Sequence, residues 1–325
     1  MDYFLDAGIQ GVLWLQANAA WAEPVARWLS FLGTAECFLL LVPVIFWCVD
    51  SSIGIRLAVL LVTATSVNSL LKMAFHMPRP YWYDLRVQAL GAESTYGMPS
   101  GHSVFASLLW PWLGARMNRR IGLAAGLLLA LAVALARILL GVHFPADVVV
   151  GLAIGAVLWW IAMRGMDWAG PRLQKAGLAW QIALAVMVSA GLILLQALVL
   201  ASIAGGMDPA DWAENAMRAG IIAPRDPAGL IIVAGLILGL GAGLACQKRW
   251  ALFRADGAIT QRVIRFLFGM LGLFLVWQVL GLIVPGEPQV AGYFFRYIQF
   301  ALMGFWVVFG APWVFLRVGL VEKTG

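Results

Sequence analysis

The chain has 325 residues, 62% of them hydrophobic and 12% charged, with a mean hydropathy of +0.89. Soluble domains carry about a quarter charged residues, so a water-soluble globular protein is excluded. In such a chain a formal charge of +6 speaks for membrane orientation and anionic head groups, and no nucleic-acid partner is expected.

Residues 1–25 place Asp2 and Asp6 where a cleavable signal would need positive charge. Leu5, Ile9, Val12 and Leu13 share one helical face, which predicts an interfacial N-terminal helix. Apolar runs near 26–48, 53–75, 101–117, 121–140, 146–163, 177–203, 228–247, 264–284 and 295–317 approach the roughly 20 residues that cross a bilayer. Sixteen tryptophans suit aromatic belts at two interfaces. Cys37, Cys48 and Cys246 lie in or beside these runs at spacings that match no metal motif, and read as small hydrophobes without a disulfide.

Gly170-Pro171 and mixed charges mark 166–176 as a linker between a core at 26–165 and a C-terminal transmembrane region, 177–325, of unassigned role. In that region Gly235, Gly239 and Gly243 repeat every fourth residue, a pattern that lets another helix approach closely. Packing within the chain explains it better than a dimer, and the oligomeric state stays open. Glu36 is the acidic residue placed deepest in an apolar run.

Three polar islands interrupt the core, each at the end of an apolar run: Lys72-x6-Arg79-Pro80, then Pro99-Ser100-Gly101-His102, then Arg137-x5-His143-x3-Asp147. They fall on one face. The opposite connections carry Arg116, Arg119, Arg120, Arg164, Arg172, Lys175, Lys248, Arg249, Arg254 and Arg262, and the tail adds Arg317 and Lys323. The long loop 204–227 on the island side instead carries Asp208, Asp211, Glu214 and Asp226 against Arg218 and Arg225. The positive-inside rule then sets the islands on the non-cytoplasmic face.

In the middle island, a helix beginning at Gly101 offers unpaired backbone N–H groups and a positive dipole end to a phosphate. Ser100 adds a hydroxyl donor, and His102 stands where it could protonate a leaving alkoxide. Taken singly, Ser100 could merely cap the helix and His102 sit at the interface. In the third island Gly141 allows a turn and Pro145 suits the next helix start. Asp147, four residues after His143, can fix one imidazole nitrogen and leave the other free to attack phosphorus; the alternative is a helix-start charge beside a loop histidine. In the first island Arg79, between two prolines, can grip two phosphate oxygens while Lys72 supplies a point charge; snorkelling at the water interface is the alternative for both. His76 has no assigned partner and reads as interfacial, and Tyr81, Trp82 and Tyr83 either shape a head-group entrance or belong to an aromatic belt.

The three islands together resemble the three motifs of the type-2 phosphatidic acid phosphatase superfamily, with one departure: Ala136 stands where the family usually has serine. The resemblance covers roughly residues 26–165. It implies an all-α, polytopic membrane helical bundle with a phosphatase core and additional C-terminal transmembrane helices. It also implies catalytic roles for His143 (nucleophile), Asp147 (its orienting carboxylate) and His102 (general acid), with Lys72, Arg79, Ser100, Gly101 and Arg137 holding the phosphate. No cofactor and no metal are expected. The expected activity is removal of phosphate from a lipid phosphate or lipid pyrophosphate through a phosphohistidine, by a multi-pass protein of a bacterial cytoplasmic membrane whose partners are the bilayer and its lipid phosphate substrate. Transfer of the phosphoryl group to another lipid, or a non-enzymatic lipid transporter or binding protein, are the alternatives. Haloperoxidase chemistry suits a multi-spanning chain poorly.

Overall fold

The computed structural model describes residues 2–91, 93–220, 223–282 and 290–322. Lys323 and the last residues of the 264–284 run lie outside them. The regular elements are helices: α1 (Asp2–Ala19), α2 (Glu23–Phe31), α3 (Ala35–Cys48), α4 (Ser51–Phe75), α5 (Pro80–Tyr83), α6 (Gly101–Met117), α7 (Ile121–Leu139), α8 (Pro145–Lys175), α9 (Leu178–Ile203), α10 (Ala210–Arg218), α11 (Ala228–Trp250), α12 (Ile259–Gly281), α13 (Val290–Phe305) and α14 (Ala311–Arg317). Among the described residues seven helical stretches are long and apolar enough to cross a membrane, or eight if the bent α1–α3 region supplies one more. The protein is an all-helical, multi-pass membrane protein.

Three expectations are corrected. The apolar run 26–48 is broken, because Gly33 follows a turn in which Leu32 and Gly33 N–H donate to Leu29 and Ser30 carbonyls at 3.1 and 2.9 Å. Thr34 then restarts the chain as a cap, its Oγ1 accepting the Cys37 N–H at 3.2 Å. The linker expected at 166–176 is helical almost throughout, since α8 runs on through Pro171 to Lys175. Pro171 forfeits an N–H and crowds the carbonyl one turn back, while the Arg172 side chain ties back to the Trp168 carbonyl and stacks on its ring at 4.4 Å. Finally, the apolar face of α1 is covered by protein: Leu5, Ile9 and Val12 are buried in one cluster with Tyr81, Val142 and Phe144. Glu36, for its part, is exposed.

The chain divides into two compact units. The first comprises residues 1–37, 63–163 and 197–226 and contains all three polar islands. Its core joins α1, α7, the start of α8 and α10. Small residues set how closely its helices pack: a Cβ on Gly151 of α8 would stand 2.6 Å from the Ser100 carbonyl oxygen and 3.0 Å from Ser103 Cβ at the head of α6. The N-terminal helix is fastened by the Gln16 amide, which donates to the Gln88 and Leu139 carbonyls at 2.8 and 3.2 Å and accepts the Gln88 N–H at 3.1 Å.

The second unit comprises residues 38–62, 164–196 and 227–325. Its glycine repeat faces α13, where a Cβ on Gly235 would stand 3.2 Å from Ala301 N and one on Gly243 3.3 Å from Phe305 Cα. The repeat is therefore occupied within the chain. Trp47 Nε1 donates to the Val307 carbonyl and Trp306 Nε1 to that of Gly269, both at 2.9 Å, so the buried Trp47 and the half-buried Trp306 keep their indole hydrogen bonds.

Candidate active site

Four pieces of the first unit meet at the site: the end of α4, the loop 84–100 leading into α6, the end of α7, and the turn into α8. The turn is local in origin. Gly141 takes φ +73°, the left-handed conformation that ends helices, and its N–H donates to the Ile138 carbonyl at 2.9 Å. Pro145 then opens α8 with its ring at a position that needs no N–H. Between them His143 is 1% and Asp147 2% exposed.

Asp147 Oδ2 accepts from the Phe144 N–H at 2.9 Å and lies 3.2 Å from His143 Nδ1. With Nδ1–H donated to that carboxylate, the lone pair sits on Nε2, which faces an Arg79 Nη1 at 3.4 Å. Burial, followed by the positive field of Arg79 and Lys72, holds the His143 imidazole well below its ordinary pKa, so the ring is neutral near neutral pH.

Arg79 is fully buried and fixed by carbonyls of its own neighbourhood: Thr95 at 2.6 Å from Nε, Val142 at 2.9 Å from Nη1 and Tyr96 at 3.1 Å from Nη2. Lys72 Nζ donates to the Tyr96 carbonyl and reaches that of Gly97 at 3.5 Å. The hydrogen bonds of both cations thus go mainly to neutral backbone carbonyls. Neither snorkels to water.

At the head of α6, Ser100 occupies the capping position, yet its side chain caps nothing. Its Oγ instead accepts from Ser103 Oγ at 3.0 Å. A Cβ on Gly101 would stand 3.0 Å from Asn68 Nδ2, so glycine lets the Asn68 side chain of α4 pack against the head of α6. The break after α2 serves the same spot, because a Cβ on Gly33 would stand 3.0 Å from His102 Cβ.

Arg137 is 4% exposed. It donates to Ser30 Oγ and forms a close ion pair with Glu93 Oε1. Glu93 also lies 3.7 Å from Arg79 Nη2 and 3.9 Å from His102 Nδ1. All eight residues singled out from the sequence, Lys72, Arg79, Ser100, Gly101, His102, Arg137, His143 and Asp147, therefore meet in one connected cluster.

Two members of the cluster were not foreseen. Ser30 arrives from α2 and bonds the guanidinium of Arg137, beside the position where Ala136 lacks a hydroxyl; no local pattern marks it. Glu93 lies in an irregular loop with no periodicity, and its one sequence signal is an acidic side chain nine residues before His102. Burial pushes the Glu93 carboxyl up, but Arg79, Arg137, His102 and Lys72 together outweigh it and bring the pKa down from 4.5 to about 2.

The aromatic run after Arg79 divides. Tyr81 is buried in the core and its hydroxyl donates to the Glu93 carbonyl at 3.3 Å. Trp82 lines a hollow of about 310 Å³ with Tyr96, Trp212, Met217 and Arg225. Tyr96 joins this hollow to the cluster: its carbonyl serves Lys72 and Arg79, while its hydroxyl donates to Asp208 at 2.6 Å and accepts from Arg225 at 2.9 Å. His76 is exposed at φ +35°.

Comparison with known proteins matches two stretches of the chain. Residues 53–171 match the PAP2 superfamily, and residues 231–323 match the transmembrane extension of PAP2 superfamily phosphatases. The chain is 27% identical to glucose-6-phosphatase 3 of Bos taurus over 97% of this chain and 96% of that protein. It is 26% identical to phosphatidylglycerophosphatase B of Bacillus subtilis (strain 168) over 45% of this chain and 76% of that protein. A crystal structure of a transmembrane PAP2 type phosphatidylglycerolphosphate phosphatase from Bacillus subtilis aligns with 51% of this chain and 96% of its own, at 23% identity and a TM-score of 0.39.

Proposed function

Because the chain belongs to the PAP2 superfamily of phosphatases, we propose that it is a membrane phosphatase that cleaves a phosphate ester or diphosphate of a lipid through a phosphohistidine. The observation that carries this reading is the pairing of His143 Nδ1 with Asp147 while Nε2 faces Arg79. In the first step Nε2 attacks phosphorus and the ester P–O bond breaks. The departing alkoxide takes a proton from His102. In the second step water attacks the phosphohistidine, His102 takes the water's proton, and inorganic phosphate and neutral His143 are restored. Arg79, Arg137, Lys72 and the N–H groups at the head of α6 stabilise the charge on the equatorial oxygens as it develops.

A lipid substrate is supported by the helices around the site, which are long and apolar enough for a bilayer, and by the lipid phosphate named for the Bacillus subtilis relative. The charge asymmetry of the connecting segments supports a site on the non-cytoplasmic face. A second reading has its own observation: the likeness to glucose-6-phosphatase 3 runs over nearly all of both chains, extension included, and favours a soluble sugar phosphate.

The test is phosphate release by the purified protein from a panel of lipid phosphates, lipid diphosphates and glucose 6-phosphate, with a chelator present and with His143→Ala alongside. The expected result is release from at least one lipid phosphate, inhibited by vanadate and lowered at least about 10³-fold in His143→Ala. Preference for glucose 6-phosphate would select the second reading. Full activity in His143→Ala would overturn the mechanism.

A further inference from the structure

Every cation of the proposed phosphate clamp except Lys72 is in contact with one carboxylate. Glu93 pairs with Arg137, stands 3.7 Å from Arg79 and 3.9 Å from His102 Nδ1, and so occupies the space between the three groups that would surround a phosphate. Resting on the phosphatase reading above, we infer that Glu93 is an internal anion that the substrate's phosphate must displace, and that it thereby selects phosphate monoesters over phosphodiesters.

The clamp is built so that this exchange can happen without dismantling it. Arg79 and Lys72 keep their bonds to the carbonyls of Thr95, Tyr96, Gly97 and Val142, and the Glu93 backbone is tied by Tyr81. Only the Glu93 side chain needs to turn away. Its carboxyl, held to a pKa of about 2, stays ionised across the physiological range, so it is a permanent competitor.

Charge then decides what can replace it. A carboxylate is a monoanion with two oxygens. A monoester phosphate at neutral pH is close to a dianion with three non-bridging oxygens, and bidentate contacts from two guanidiniums favour it strongly. A phosphodiester has one charge and two free oxygens, so exchanging Glu93 for it yields no net electrostatic gain. Most phospholipids surrounding a membrane enzyme are diesters, and Glu93 keeps them out of the clamp.

The experiment compares wild type, Glu93→Gln and Glu93→Asp in detergent, titrated calorimetrically with inorganic phosphate, vanadate and dimethyl phosphate. Glu93→Gln should bind phosphate and vanadate at least about tenfold more tightly and acquire measurable binding of dimethyl phosphate, which wild type lacks. Glu93→Asp, whose shorter side chain reaches less far, should fall between them, and it carries the test should Glu93→Gln fail to fold. Phosphate binding in wild type with no gain in either variant would overturn the inference alone. No binding by any of the three would remove both the inference and the clamp beneath it.

Discussion

The Ser100 N–H donates to the backbone carbonyl of Asp147 at 3.0 Å. This bond joins the head of α6 to the first turn of α8, so the helix end and the carboxylate proposed to hold phosphate and to orient His143 share one rigid reference. A shift of α8 therefore moves both together, and the geometry between Ser100 and the His143–Asp147 pair is preserved.

Asp147→Asn tests the orienting carboxylate. The amide can still accept the Phe144 N–H, so the turn should persist, but it holds the wrong imidazole tautomer as readily as the right one. Phosphate release should fall by about 10² to 10⁴-fold with little change in the thermal unfolding midpoint, measured side by side on the purified variants.

Gly151→Val tests the contact between α6 and α8. Its Cβ would stand 2.6 Å from the Ser100 carbonyl oxygen, and relieving that clash requires the helices to part. Overpacking of this kind costs about 1–3 kcal/mol. A lower unfolding midpoint accompanied by loss of activity is expected, whereas Gly165→Val, where nothing lies within 4 Å of a Cβ, should leave both near wild type.

Ser30→Ala removes a hydroxyl that accepts from a buried guanidinium. A hydrogen bond to a charged group contributes about 1.5–3 kcal/mol, so activity should drop by roughly ten- to a hundredfold if Arg137 loses its aim. Steady-state kinetics on the best substrate of the panel provide the measurement.

The Glu93 carboxyl makes stability depend on acid in a defined window. Its folded-state pKa of about 2 lies below its ordinary 4.5, so below 4.5 the unfolded chain binds the proton first. Its contribution, made against Arg79, Arg137, His102 and Lys72, is fully present above pH 4.5 and is lost as pH falls toward 2. Unfolding curves of wild type should therefore descend more steeply across that window than those of Glu93→Gln; parallel curves would refute the coupling.

How much of this was readable in advance follows the range of the contacts. His143 and Asp147 are four residues apart on one turn, Gly141 and Pro145 announce that turn, and the long apolar runs declare the helices; local spacing encodes all of it. Ser30 and Glu93 reach Arg137 across 107 and 44 residues, distances over which single-sequence periodicity carries no signal. The break at Gly33 was hidden because the apolar run continues on both sides of it. The apolar face of α1 was legible, while its partner was not: burial against a bilayer and burial against Phe144 ask for the same residues.

The fastening of α1 also has a consequence for the order in which the protein matures. Gln16 bonds the carbonyl of Leu139 across 123 residues, and Tyr96 bonds Asp208 across 112. Synthesis proceeds from the N-terminus at about 5–20 residues per second, so the first helix waits several seconds for the segment that covers it. The loop that holds the clamp waits as long again for its outer tether. A nascent chain halted before residue 208 therefore carries His102 and His143 without the Asp208 carboxylate that tethers Tyr96.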